Sequence, residues 1–171
     1  MIPENAHPSQ GRALAVAALV ARLVLGGLYV YMGLSKALDP VNFLKLVRQY
    51  EIIDQPFLLN LIAAGLPWFE VLCGLLLVSG IAVRGTAVLS LLMLVPFTAL
   101  VLHRALAIQA VQGLSFCAIR FDCGCGAGEV YICHKLIENG LLMVASALLL
   151  AAPATRWCVR YHLVKPIGLA P

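Results

Sequence analysis

Cys117, Cys123, Cys125, Cys133 and His134 fall within eighteen residues, most of them in the run FDCGCGAGEVYICH. Sulfur at this density supports three chemistries. Four cysteines permit three complete pairings, so Cys117, Cys123, Cys125 and Cys133 are all disulfide candidates, and a bridge among them would staple the loop. Thiol–disulfide exchange needs an attacking thiolate and a resolving neighbour, which makes Cys123, Cys125 and Cys133 the candidate catalytic residues. Cys123, Cys125, Cys133 and His134 would also offer thiolate and imidazole ligands to zinc or cuprous copper. Spacing alone does not choose between the three.

Local features add detail. Gly124, Gly126 and Gly128 keep side-chain bulk away from the sulfurs and permit tight turns. Cys133 and His134 open an apolar stretch, where a helix N-terminus would stabilise a thiolate. A bond directly between Cys123 and Cys125 would close a small strained ring, which favours a bridge from either one to Cys117 or Cys133.

The elements that must carry this cluster are membrane spans. The chain has 171 residues, 62% hydrophobic and 12% charged, with a mean hydropathy of +0.96, which is the composition of an integral membrane protein. The net charge of +4 is dispersed along the chain, so no basic face for nucleic acid is formed. Four stretches reach the length needed to cross a bilayer core, at residues 13–38, 57–83, 86–108 and 135–152. The first runs on into GLSKALDP without a cleavage pattern and is expected to be a retained span. The fold class expected is an all-α membrane protein: one domain over residues 1–171, a four-helix transmembrane bundle with the cysteine loop at 109–134. A short interfacial helix is expected after the first span, because Asp39-Pro40 is a helix start and Phe43, Val47 and Tyr50 recur at helical spacing.

Lys and Arg counts barely separate the two sides of the membrane, but Asp39, Glu51, Asp54, Asp122 and Glu129 all fall on the side of the cysteine loop. The expected orientation has both termini in the cytoplasm and the loop outside, where disulfides persist. Inside the spans, Arg22 and Glu70 are placed at similar depth and are expected to form a buried ion pair, a reading preferred over a quinone or proton site. Arg22, Gly26, Tyr29, Gly33 and Lys36 share one helical stripe whose glycines admit a neighbouring helix. Asn139 reads as an interhelical hydrogen-bonding group. Pro67 and Pro96 should bend their helices, and Cys73 reads as a small hydrophobe.

The stretches ARLVLGGLYVYMGLSKALDPVNF and LPWFEVLCGLLLVSGI and the loop CGC, taken in that order, resemble the DoxX-like superfamily and most closely its MauE-type members. The resemblance covers most of residues 20–150. It implies a four-helix membrane bundle associated with redox or disulfide chemistry, MauE-type proteins being linked to maturation of the disulfide-rich small subunit of methylamine dehydrogenase. Here CGCGAGEVYICH stands where a phenylalanine would be expected after the Cys-x-Cys. The function expected is a redox-associated protein of the bacterial inner membrane, a candidate thiol–disulfide oxidoreductase acting on an exported partner. The alternative is a non-catalytic accessory subunit of a larger membrane complex, its cysteines a staple or a metal site. The partners expected are the lipid bilayer and a protein of a membrane or periplasmic redox system.

Overall fold

The computed structural model describes residues 8–51, 55–126 and 128–151. Its elements follow in the order α1 (Pro8–Leu38), α2 (Pro40–Arg48), α3 (Pro56–Ser79), α4 (Val83–Gln112), β1 (Arg120–Asp122), β2 (Glu129–Tyr131) and α5 (Ile132–Ala151), with a 3₁₀ turn at Phe116–Ala118. Four of these helices are long and apolar enough to cross a membrane: Ala13–Leu38 within α1, and α3, α4 and α5. The protein is an all-α, multi-pass membrane bundle.

Helix ends depart from the expected spans for local reasons. The second stretch stops at Ser79 because Gly80 turns left-handed at φ 75°, and the Ile81 N–H closes back on the Leu76 carbonyl at 3.0 Å. α4 begins earlier than expected, at Val83, and runs on to Gln112, where Gly113 caps it at φ 65°. α5 starts directly after β2, three residues before the expected position. Residue 152, the expected end of the last span, and Cys158 lie outside the described residues.

Leucine and valine cover the outside of the bundle, at Val20, Val24, Leu72, Leu92, Leu141 and Val144 among others, where lipid replaces a second layer of protein. The interior joins small and apolar residues such as Ala18, Leu25, Leu77, Ala87 and Leu149 to buried polar ones, Ser90, Asn139 and Ser146. Polar groups so placed gain from partners inside the bundle. Tyr29 donates to the Ser90 carbonyl at 3.2 Å, and Asn139 Nδ2 donates to Thr98 Oγ1 at 3.0 Å, the interhelical bond expected of Asn139.

α1 and α3 run antiparallel at close range. A methyl group at Gly33 would sit 2.6 Å from the Pro67 carbonyl oxygen, and one at Gly74 would sit 2.6 Å from that of Gly26. Only glycine fits such an approach of two backbones. These contacts fix the register, setting Gly26 opposite Gly74 and Val78, and Gly33 opposite Pro67 and Val71.

α2 crosses one end of the bundle. Asp39 caps it by accepting from the Asn42 N–H at 3.1 Å, with Pro40 at the first helical position. Phe43 is buried, and the apolar face turns onto α3 and the cysteine loop.

Candidate dithiol site and cavity

The cysteine loop is a small antiparallel hairpin. Arg120 pairs with Tyr131 and Asp122 with Glu129, and the turn between the strands holds Cys123-Gly124-Cys125. Asp122 Oδ1 accepts from the Gly124 N–H at 2.9 Å, and Gly124 itself adopts φ 75°, an Asx-type turn that needs a residue without a Cβ penalty. Gly126 is also left-handed, and a Cβ there would collide with Ser35 Oγ of α1. The turn is therefore folded inward onto the bundle rather than held out in solvent.

This folding sorts the sulfurs into two pairs. The Ile132 N–H donates to the Ile119 carbonyl at 3.0 Å and brings the 3₁₀ turn to the start of α5. Cys117 and Cys133 are then joined by a disulfide, their Cα atoms 5.1 Å apart. Cys117 is exposed and Cys133 half-buried. Cys123 and Cys125 are each 1% exposed and not disulfide-bonded, with their sulfurs 2.7 Å apart. Cys123, Cys125 and Ile119 belong to one apolar cluster, against which Cys133 packs.

The expected bridge from Cys123 or Cys125 to Cys117 or Cys133 is thus not formed. The hairpin carries the Cys-Gly-Cys turn inward, while the 3₁₀ turn delivers Cys117 to Cys133. Cys133 is no free thiol at a helix N-terminus, since its sulfur is bridged. The metal set proposed from sequence does not converge: His134 is exposed, Cys133 is bridged, and among the described residues no group of three or more His, Cys, Asp or Glu side chains is placed to hold a metal ion.

Hydrogen bonding and burial both act on the Cys123 thiol. The Cys123 thiol donates to Cys125 Sγ. This bond, then burial and the neighbouring Cys125 charge, push the Cys123 thiol well above its ordinary range, with Lys135 and the Cys125 backbone N–H opposing. Cys123 therefore holds its proton. Tyr50, in the turn after α2, donates to the Cys123 carbonyl at 2.9 Å. Burial, reinforced by the two cysteines, pushes its hydroxyl up as well.

Behind the dithiol lies a cavity of about 320 Å³, lined by all four spans, α2 and the cysteine turn. Met32, Phe43, Leu66, Met93 and Phe97 give it a mainly carbon surface, to which Lys36, Glu70, Lys135 and Asn139 add polar groups. Sequence reasoning missed it, because its lining comes from segments spread over more than a hundred residues.

The ion pair in this wall corrects another expectation. Glu70 is bound by Lys36, whose ammonium donates to its two carboxylate oxygens at 2.5 and 2.7 Å. The glycine register sets Glu70 level with Gly33, eleven residues and roughly 16 Å along α1 from Arg22. Lys36, one turn beyond Gly33, is the cation in reach. Cys73 is buried in the α1–α3 core.

A family model described as methylamine utilisation protein MauE matches residues 14–152, which include all four spans, α2 and the cysteine hairpin. No curated protein and no solved structure matches the chain.

Proposed function

The chain belongs to the MauE family, and from that premise we propose that it is a thiol–disulfide exchange protein of the bacterial inner membrane, passing electrons inward from an exported partner. The observation that carries this reading is the division of four sulfurs into an exposed bridge, Cys117–Cys133, and a buried dithiol, Cys123 and Cys125, packed in one apolar cluster.

The exchange has two stages. A thiolate of the partner attacks Cys117, the exposed sulfur, and Cys133 leaves as a thiolate at the N-terminus of α5, where the helix dipole stabilises it. The partner's second thiol then displaces Cys117, so the partner gains a disulfide and Cys117 and Cys133 become thiols. In the second stage these two thiols reduce a disulfide between Cys123 and Cys125, restoring the outer bridge. The arrangement described above corresponds to the end of that stage. A Cys-x-Cys disulfide closes a small strained ring and is readily reduced, which suits it to accept electrons from the outer pair.

In this reading the cysteine end faces the periplasm and both chain termini face the cytoplasm. The acidic residues at the cysteine end, among them Asp39, Asp122 and Glu129, support this orientation, as does the need for a compartment in which disulfides persist. Differential alkylation of intact cells, read by mass spectrometry, tests the proposal. Both pairs should be found in thiol and disulfide forms, with populations that move when cells are challenged with a membrane-impermeant reductant. Cysteines fixed in one state throughout would leave the accessory-subunit reading, with Cys117–Cys133 as a staple.

A further inference from the structure

Oxidising the Cys123–Cys125 dithiol releases two electrons and two protons, and the group that takes them must reach sulfurs that are 1% exposed. The turn is closed over by α2, with Phe43 and Leu46 against Gly124, so a folded protein cannot approach from that side. The cavity is the other approach. Pro96 and Leu100 line it and are also exposed on the outer surface of α4, which opens it sideways to the hydrocarbon of the bilayer.

We propose that this cavity binds a membrane-soluble quinone, which accepts the electrons and protons of Cys123 and Cys125. The proposal rests on the exchange reading of the cysteine site and names its electron acceptor.

The lining fits that chemical class. A volume of about 320 Å³ lies at the lower end of small-molecule sites, roughly 300–1,000 Å³, enough for a ring headgroup whose tail leaves through the lateral gap. Met93, Phe97 and Phe43 offer flat or polarizable surface to a ring. An ammonium has three donors; Lys36 gives two to Glu70, and the third remains for a quinone carbonyl. Asn139 and Lys135, on α5, add two more polar side chains to the lining. A cofactor with phosphate groups would need a cluster of unpaired cations or backbone amides, and both lysines of this lining are engaged by carboxylates, Lys36 by Glu70 and Lys135 by Glu138.

The reaction balances within the site. Cys125 sulfur adds to an electron-poor ring carbon, and the displaced electron pair moves to a carbonyl oxygen, which takes up a proton. Cys123 then attacks Cys125 Sγ. The sulfur–sulfur bond forms, the carbon–sulfur bond breaks, and the ring leaves as the quinol carrying both thiol protons.

The experiment uses the protein in lipid nanodiscs, with Cys117–Cys133 bridged and Cys123 and Cys125 reduced, mixed with decylubiquinone. Quinol formation is followed by absorbance and the state of each cysteine by alkylation and mass spectrometry. About one quinol per chain should appear, as a two-electron couple requires, together with loss of the Cys123 and Cys125 thiols. Leu66→Trp and, separately, the rim variant Leu100→Trp should slow the reaction about ten-fold or more by filling the cavity; thermal unfolding identifies which of the two is correctly folded. Absence of quinol, quinol formation that persists in Cys123→Ser, or a wild-type rate in the folded tryptophan variants overturns the proposal. Because the reaction starts from the inner dithiol alone, quinol formation without transfer between the cysteine pairs upholds the quinone site and sinks only the relay. Transfer between the pairs without quinol overturns the quinone site.

Discussion

Lys36 Nζ sits between the two carboxylate oxygens of Glu70, at 2.5 and 2.7 Å, and 5.4 Å from the centre of the Phe43 ring. One charged contact thus ties α1 to α3 and to the helix that covers them. Both charges are buried, so the pair contributes mainly by keeping each ion from standing alone.

Glu70→Gln should accordingly destabilise the bundle by about 3–5 kcal/mol, because it strands the Lys36 ammonium in the interior. Glu70→Leu combined with Lys36→Met should recover most of that loss, whereas Glu70→Leu combined with Arg22→Met should not. Thermal unfolding in detergent measures both, and rescue by the Arg22 change would contradict the pairing.

The glycine contacts give a second expectation. Gly33→Ala places a methyl group against the Pro67 carbonyl and the Val71 amide, both backbone atoms, and should cost about 1–3 kcal/mol as α1 is forced away from α3. Gly27→Ala, one residue from Gly26, meets nothing within 4 Å and should leave the unfolding temperature unchanged or slightly raised. Equal effects at the two positions would rule out the register described for α1 and α3.

These contacts also show what was legible beforehand. The four spans follow from apolar length, and α2 from Asp39-Pro40 and the spacing of Phe43, Val47 and Tyr50, because each is a local property. The partner of Glu70 was not legible: depth counted from span ends put Arg22 beside it, while the register is set by Gly26, Gly33 and Gly74. The hairpin escaped because its strands are three residues each, too short to show alternation. The pairing of Cys117 with Cys133 depends on where that hairpin turns, and four cysteines alone do not specify a connectivity.

The raised Cys123 thiol has a consequence at alkaline pH. Folding holds the proton on Cys123, chiefly through its bond to Cys125 and then through burial, so the stabilisation is complete below the unfolded thiol value of about 8.5. Above that pH the unfolded chain ionises first and gains relative to the fold, so stability should fall as pH rises. Tyr50, raised by burial, should add to the fall from about pH 10. The unfolding temperature of the dithiol form should therefore drop between about pH 8.5 and 10, and the profile of Cys123→Ala over that range should be flatter. A steeper profile in the variant would contradict the assignment of the proton to Cys123.

The two sulfurs of the outer bridge should behave differently when one is removed. In Cys133→Ser the exposed Cys117 keeps a thiol that can attack an oxidised partner, but the neighbour that would resolve the product is gone, so a mixed disulfide at Cys117 should accumulate. In Cys117→Ser the remaining sulfur is half-buried and packed against the cluster of Cys123 and Cys125. It should capture a partner several-fold less and should be drawn instead into a bridge with the inner pair, since exchange rates follow access as well as thiolate character. Non-reducing electrophoresis of membranes from cells expressing each variant, with mass spectrometry of the cross-linked peptides, distinguishes the two outcomes. Equal capture at both positions would show that Cys117 is not the point of entry. Loss of protein in both variants, with capture in neither, is the signature of a staple and would remove the support that the exposed bridge gives to exchange.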